Sequence, residues 1–304
     1  MKHFKKKIST YFCIAVLCLI SVSGCSGQKE STPKPEQEHT QELETELQTV
    51  DETENEKKET IDLKNSFHGI NGCAVLFDPQ KNSYSFYNDA MCEQEVSPYS
   101  TFKIISTLMG LENGVIESTD STMTYNGTQY PISEWNENLN LQEAFQSSCI
   151  WYFRQIIDAV GEDEVKKELD ALSYGNCDVS EWNGNSTNSI PELNGFWLNS
   201  SLKITPLQQV KMLARIFEGQ SIYSDENIST LKEIMLVEDS GIQKIYGKTG
   251  SGSDQAWFVG FSEENNEKIY FAIFLDDNTQ SETITGNTAK EIAIEILNQQ
   301  HSDW

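Results

Sequence analysis

Histidine is scarce in this chain and lies at its margins. The 304 residues include 4 His, and their positions are His3, His39, His68 and His301. Because none falls within the body of the chain, a Ser-His-Asp triad or a histidine-ligated metal centre would need His68 or His301 to fold back into a cleft. Proton transfer at any catalytic site is therefore expected to depend on Lys, Tyr, Asp or Glu.

Paired cysteines and basic residues are also in short supply. The chain has 7 Cys but no Cys-x-x-Cys pair, so a structural zinc site has no support. The spacing of the four cysteines in the body of the chain identifies no disulfide, and we expect free thiols at Cys73, Cys92, Cys149 and Cys177. Lys and Arg total 22 against 47 Asp and Glu, a net charge of -25. Such a surface repels phosphates, which argues against nucleic-acid binding and leaves small molecules as partners.

No apolar run is long enough to cross a membrane. A basic start, MKHFKKK, precedes the apolar stretch YFCIAVLCLISVSG, whose core of about a dozen residues falls short of the roughly 20 that a spanning helix needs. The pattern predicts an export signal over residues 1–24. It ends in Val22-Ser23-Gly24-Cys25, which resembles a bacterial lipobox and implies a lipidated Cys25. Cleavage elsewhere and an uncleaved anchor are the alternatives. All three imply an extracytoplasmic location, and the first adds a lipid anchor to the bacterial cell membrane.

Residues 25–64 predict an acidic, disordered tether. Within residues 26–64, 5 Lys stand against 12 Asp and Glu, and apolar residues are almost absent. Such a segment cannot bury enough surface to offset the entropy of ordering, and its charges keep it extended. The folded domain is expected at residues 65–304.

The pattern of residues 65–304 predicts a mixed α/β domain. Strand-like runs come first and last, at 72–78, 83–89, 243–252, 256–262 and 268–277. Helical periodicity fills the middle and the end, at 102–114, 141–158, 205–219 and 288–300. This order indicates an antiparallel sheet built from both ends of the domain, flanked by helices, with a helical subdomain.

The spacing Ser-x-x-Lys occurs at five places in the chain. A serine nucleophile needs an adjacent base, and a lysine can be that base only when burial keeps it unprotonated. A working pair should therefore begin a helix and direct its lysine into an apolar interior. The copies are Ser26/Lys29, Ser31/Lys34, Ser100/Lys103, Ser200/Lys203 and Ser229/Lys232.

Only Ser100/Lys103 meets these conditions. Pro98 precedes the pair, and Phe102 and Ile104 flank the lysine. Two other copies lie in the predicted tether, and the last two lack an apolar setting. The alternative for Ser100 is a helix cap followed by a chance lysine.

A second motif, Lys248-Thr249-Gly250, lies on a predicted strand. Ser-x-x-Lys followed by Lys-Thr-Gly is the pairing found in serine β-lactamases and penicillin-binding proteins. Further segments follow in the order typical of class D β-lactamases, which the chain resembles over almost all of residues 68–298. They are PYSTFKI, GLENGVI, Ser148-Cys149-Ile150, Tyr174-Gly175-Asn176, FWLNSSLKIT and AWFVGF.

The resemblance implies a β-lactamase/transpeptidase-like fold and hydrolysis of the β-lactam amide. Ser100 would form an acyl-enzyme. Lys103 would be carbamylated by CO2 and act as general base, with no other cofactor. Trp197 would donate its indole N–H to the carbamate, and Ile150 would lie above it.

The remaining roles follow from the same resemblance. Ser148 would relay a proton to the leaving nitrogen. The backbone N–H groups of Ser100 and Ser251 would form an oxyanion hole. Lys248, Thr249 and Ser251 would face the substrate carboxylate, and Gly250 would also contact the substrate.

Two departures from the family pattern matter. Ile150 stands where class D enzymes usually have Val, and no Arg follows Lys-Thr-Gly, since the Arg residues of the chain are Arg154 and Arg215. A β-lactam sensor or penicillin-binding domain that stays acylated is the main alternative, and a cell-wall transpeptidase or carboxypeptidase is another. Both groups tend to have a polar Asn at the position of Ile150, so the apolar side chain favours an enzyme.

Overall fold

The computed structural model describes residues 56–277, 279 and 284–300. The predicted export signal, Cys25 and most of the predicted tether lie outside these residues. Within this part of the chain, no helix is both long and apolar enough to cross a membrane.

A seven-stranded sheet forms the centre of the domain, in the order β1-β3-β2-β9-β8-β7-β6. A two-stranded ribbon of β4 and β5 lies apart from it. The strands are β1 Lys57–Thr60, β2 Gly72–Asp78, β3 Ser83–Tyr87, β4 Thr122–Met123, β5 Leu139–Asn140, β6 Leu236–Asp239, β7 Gln243–Ser251, β8 Gln255–Glu264 and β9 Glu267–Asp276.

Helices cover both faces of the sheet and fill the region between β3 and β6. They are α1 Asp89–Cys92, α2 Lys103–Glu112, α3 Leu141–Gln146, α4 Ile150–Val160, α5 Glu162–Leu172, α6 Pro206–Phe217, α7 Asp225–Met235 and α8 Gly286–Gln300. Short 3-10 helices lie at Tyr99–Phe102, Ser133–Trp135 and Pro191–Leu193. The predicted mixed α/β class and the predicted order of strands and helices are confirmed.

Alternation along the strands divides the apolar residues between two cores. On β8, Phe258 packs toward α8, whereas Trp257 and Val259 face the larger core beneath the helical region. This separation follows from the period of two in a strand, which sends neighbouring side chains to opposite faces. The larger core also surrounds the segment that contains Ser100 and Lys103.

The predicted tether ends earlier than expected, because its last residues form a strand at the edge of the sheet. β1 pairs in parallel with β3, with Lys57 opposite Ser83 and Thr60 opposite Phe86. The end of the segment assigned to disorder thus belongs to the sheet, which is mixed rather than wholly antiparallel. Its side chains are exposed, so burial gave no signal for the strand, which pairs through backbone hydrogen bonds and adds bonds between Thr60 and Asp89 and between Ser85 and Glu59.

The single helix predicted over residues 141–158 is wrong. It is interrupted at Ser148, whose φ is 58°. The Ser148 N–H donates to the Phe145 carbonyl and the Cys149 N–H to the Ala144 carbonyl, the bonding pattern of a Schellman motif. This motif usually has a glycine at the left-handed position, so the serine found there did not indicate a helix end.

The cysteines agree with the sequence analysis. Cys73, Cys92 and Cys149 are buried free thiols, and Cys177 is a half-buried one.

Gly260 is the tightest point of the sheet, and we expect its substitution to destabilise the domain. A Cβ at Gly260 would lie 1.9 Å from the Tyr246 carbonyl oxygen, whereas one at Gly241 would meet nothing within 4 Å. Gly260→Ala should therefore lower the free energy of unfolding by about 3 kcal/mol because the neighbouring backbone cannot move aside. Gly241→Ala, where only the positive φ is strained, should cost about 1 kcal/mol. Urea unfolding measures both, and equal losses would contradict the packing argument.

Candidate active site

A short strap, residues 96–102, places Ser100 at the surface of the larger core. Val96 forms an antiparallel bridge with Ile204, and the Tyr99 N–H donates to the Trp197 carbonyl over 3.0 Å. Tyr99 has a φ of 48°, a left-handed conformation that is costly for a bulky residue and persists only where its surroundings hold it. The half-exposed Ser100 follows directly in a 3-10 helix.

Lys103 lies below Ser100 in an apolar interior. It is the first residue of α2 and is fully buried. Its Nζ donates to Ser100 Oγ over 2.9 Å and lies 5.4 Å from the centre of the Phe153 ring. Burial lowers the pKa of the Lys103 amine to about 7, because the charged form loses its hydration. Neither helix start makes a side-chain capping bond, so Ser100 is not a helix cap.

The other two Ser-x-x-Lys copies in the described residues do not join serine to lysine. Ser200 donates to Glu181 while Lys203 donates to Ser97 Oγ over 2.9 Å. Lys232 pairs with Glu263 over 2.7 Å. Of the three Ser-x-x-Lys copies in the described residues, Ser100/Lys103 is the one in which the lysine amine contacts the hydroxyl of its own serine.

The break between α3 and α4 brings Ser148 to a second buried lysine. Lys248 Nζ donates to Ser148 Oγ over 2.9 Å and to the Thr249 carbonyl over 3.0 Å. Burial, and then the nearby charge of Lys103, hold the pKa of the Lys248 amine well below its usual range. The site therefore has two lysines whose positive charges oppose each other in a dry environment.

The end of β7 forms the wall opposite Ser148. Gly250 lies against the strap, where a Cβ would be 3.2 Å from the Pro98 carbonyl oxygen and 3.4 Å from the Ser100 nitrogen. A glycine allows this approach without displacing the strap. The backbone of β7 is thereby brought next to the nucleophile.

The backbone N–H of Ser251 points away from β8. The Gly252 N–H donates to the Gln255 carbonyl, and Ser251 lies opposite Ala256 in the next position of the ladder. Hydrogen-bonded and non-bonded pairs alternate in an antiparallel ladder, so Ser251 presents its N–H to the other side. The last β7 residue paired with β6 is Tyr246, which leaves this edge without a strand partner among the described residues.

The side chains of Thr249 and Ser251 differ in what they reach. Thr249 Oγ1 lies 3.5 Å from Lys248 Nζ. Ser251 Oγ accepts the Gly286 N–H over 2.9 Å, so its hydroxyl helps to fix the start of α8. The contribution of Ser251 at the site is therefore through its backbone.

Trp197 is fully buried beside the strap. Its ring stacks on Phe102 with centroids 5.5 Å apart. Its indole N–H has no hydrogen-bond acceptor within the described residues, which is costly for a buried polar group. Ile150 begins α4 and packs half-buried against the larger core.

Two residues of the site region were not identified from the sequence. Gln209 on α6 is fully buried and donates to Thr101 Oγ1 over 2.8 Å, while Thr101 donates to the Pro98 carbonyl. They anchor the strap from below. A polar Gln on the apolar face of α6 was the available signal.

Cys149 lies near Lys103, and burial raises the pKa of its thiol to about 12, which keeps it uncharged.

Comparisons with known proteins agree with this geometry. The family described as penicillin binding protein transpeptidase domain matches residues 48–298. The regulatory protein BlaR1 of Bacillus licheniformis is 34% identical over 234 residues, covering 75% of this chain and 37% of that protein. The chain thus spans about two fifths of the length of the curated regulatory proteins that it matches.

Two solved structures are similar over most of the domain. A class D β-lactamase from Bacillus subtilis is 29% identical, with a TM-score of 0.71, and the match covers 79% of this chain and 95% of that one. The C-terminal domain of the BlaR penicillin-receptor of Bacillus licheniformis is 33% identical, also with a TM-score of 0.71, and the match covers 80% of this chain and 96% of that one.

With both an enzyme and a receptor domain sharing its fold at similar identity, the chain belongs to the penicillin-binding protein transpeptidase domain family and has the fold of class D β-lactamases.

Proposed function

We propose that this protein hydrolyses β-lactam antibiotics through an acyl-enzyme at Ser100, with a CO2-derived carbamate on Lys103 as general base. The observation that carries this proposal is the fully buried Lys103 amine, 2.9 Å from Ser100 Oγ. Only an unprotonated amine attacks CO2, and its pKa of about 7 leaves much of the amine in that form near neutral pH.

The surroundings of Lys103 fit a carbamate. Such a group supplies a carboxylate-like base that can take the proton of the Ser100 hydroxyl. The unpartnered indole N–H of Trp197 needs an acceptor. An anion at Lys103 in place of a cation would also stabilise the charged form of Lys248, whose pKa the charge of Lys103 lowers.

The rest of the site fits both steps of the reaction, formation of the acyl-enzyme and its hydrolysis. Ser100 Oγ attacks the lactam carbonyl, and the backbone N–H groups of Ser100 and Ser251 stabilise the negative charge that forms on its oxygen. Ser148, hydrogen-bonded to Lys248, passes a proton to the leaving nitrogen as the ring opens. Water then attacks the ester to release Ser100.

Substrate binding is proposed to use β7. Thr249 Oγ1 and Lys248 Nζ lie 3.5 Å apart and suit a carboxylate. Because the chain has no Arg after Lys-Thr-Gly, affinity for some β-lactams is expected to be weaker than a bidentate arginine would give.

A penicillin sensor that remains acylated is the second candidate. The 34% identity to the regulatory protein BlaR1 and the similarity to the BlaR receptor domain favour it. The apolar Ile150, packed at the start of α4, favours hydrolysis, since sensors tend to have a polar Asn at this position.

The location of the protein is a separate proposal, supported by sequence alone. The pattern Val22-Ser23-Gly24-Cys25 favours lipidation of Cys25 and an extracytoplasmic, membrane-anchored domain.

Removing the Lys103 amine should nearly abolish turnover. Lys103→Ala is expected to lower kcat/KM for a penicillin by about 10³-fold, the contribution of a general base. The matched control is Lys232→Ala, which alters another Ser-x-x-Lys lysine that pairs with Glu263 and should leave the rate unchanged. A near-normal rate for Lys103→Ala would exclude Lys103, and its carbamate, as the base.

Reactivation by CO2 should depend on pH. Below its pKa of about 7 the Lys103 amine is protonated and cannot attack CO2, whereas above it the neutral form dominates. In protein freed of CO2, recovery of activity at a fixed CO2 concentration should be about tenfold slower at pH 6 than at pH 8. Stopped-flow assays of penicillin hydrolysis measure this rate, and equal rates at the two pH values would place the amine pKa outside this range.

Intact-protein mass spectrometry separates the enzyme from the sensor. On mixing with excess penicillin we expect product release, enhanced by bicarbonate, and return of the unmodified mass when substrate is exhausted. A penicilloyl adduct that persists for hours would instead establish the sensor.

A further inference from the structure

Arg154 is a buried cation outside the motifs of the family. It lies on α4, one turn after Ile150, and is 6% exposed. Nε donates to Asp158 Oδ2 over 2.9 Å and Nη2 to Asp158 Oδ1 over 2.5 Å. Nη1 donates to the Trp182 carbonyl over 2.6 Å, and Nη2 to Asn183 Oδ1 over 3.2 Å. The guanidinium thus fixes the start of the segment 182–197 to α4.

The same guanidinium lies over two indole rings. Its Cζ is 5.3 Å from the centroid of Trp182 and 5.9 Å from that of Trp197. Trp182 also donates its indole N–H to Asp158 Oδ1 over 3.1 Å. Phe196 lies between the two indoles: its ring centroid is 5.1 Å from that of Trp182 and 5.1 Å from that of Trp197.

These contacts end at the nucleophile. Trp197 stacks on Phe102, the residue before Lys103. The backbone carbonyl of Trp197 accepts a hydrogen bond from the N–H of Tyr99, the residue before Ser100. A shift of Trp197 would therefore displace both proposed catalytic residues, and the Arg154 guanidinium over its ring restrains Trp197.

We infer that Arg154 is a positioning residue that holds Trp197 so that its unpartnered indole N–H faces the Lys103 carbamate. A cation over the ring draws electron density from the indole, which strengthens the N–H as a donor. The fork to Asp158 keeps the guanidinium in a single orientation. The inference rests on the proposed carbamate and adds a residue that determines its stability.

The test measures CO2 affinity directly. Protein is titrated with 13C-bicarbonate, and the carbamate on Lys103 is followed by 13C NMR. Arg154→Met, which keeps length and apolar packing, should weaken CO2 binding by about tenfold, the effect of impairing a charge-assisted hydrogen bond. Arg154→Lys retains a cation without the fork and should give a smaller loss. At saturating CO2, kcat of both variants should return to within about threefold of the parent.

Controls separate positioning from folding. Arg215→Met alters the other arginine, which donates to the Leu172 carbonyl, and should leave CO2 affinity unchanged. Should Arg154→Met fail to fold, Asp158→Asn keeps the guanidinium over the rings, weakens the fork and should reduce CO2 affinity by about threefold.

Two failures can be told apart. A parent protein without a carbamate signal at any CO2 concentration would overturn the proposed base, and the role of Arg154 with it. A carbamylated parent whose Arg154→Met and Asp158→Asn variants bind CO2 equally well, even with lower melting temperatures, would leave the proposed function intact and reduce Arg154 to a structural residue.

Discussion

Burial of the Lys103 amine is the constraint on which the rest of the site depends. An amine removed from water loses the hydration that stabilises its charge, so the core around it must supply stability elsewhere. The Phe153 ring lies 5.4 Å from the amine, and the sheet of the domain is covered on both faces. The hydrogen bond to Ser100 then gives the buried amine its partner.

The second lysine of the site, Lys248, is also buried and also has a lowered pKa. Burial lowers the pKa of both amines, the charge of Lys103 lowers that of Lys248 further, and each lysine contacts a serine hydroxyl. Under the proposed function, two serine–lysine pairs move protons without an imidazole, which agrees with the marginal positions of the histidines. The charge of both lysines is controlled by burial.

Periodicity predicted the elements of this fold well where side chains decide the structure. The apolar run of β8 and the apolar face of α8 were visible because burial selects them. The break at Ser148 and the pairing of β1 were not visible, since both are made by backbone hydrogen bonds at residues whose side chains signal nothing. At the site, Ser100 and Lys103 could be selected among the five Ser-x-x-Lys pairs because apolar residues flank this lysine at the start of a helix. Contacts between distant segments, such as Gln209 with Thr101 or Arg154 with Trp182, depend on how the helical region packs and have no local pattern.

The position of β1 has a mechanical consequence. It is the outermost strand of the sheet, on the edge away from β7, and pairs with β3 through four residues. A pull on the chain N-terminal to Lys57 would load this short outer pairing first. Four intervening strands separate β1 from β7, so the strand most exposed to traction is also the one whose fraying least disturbs Ser100.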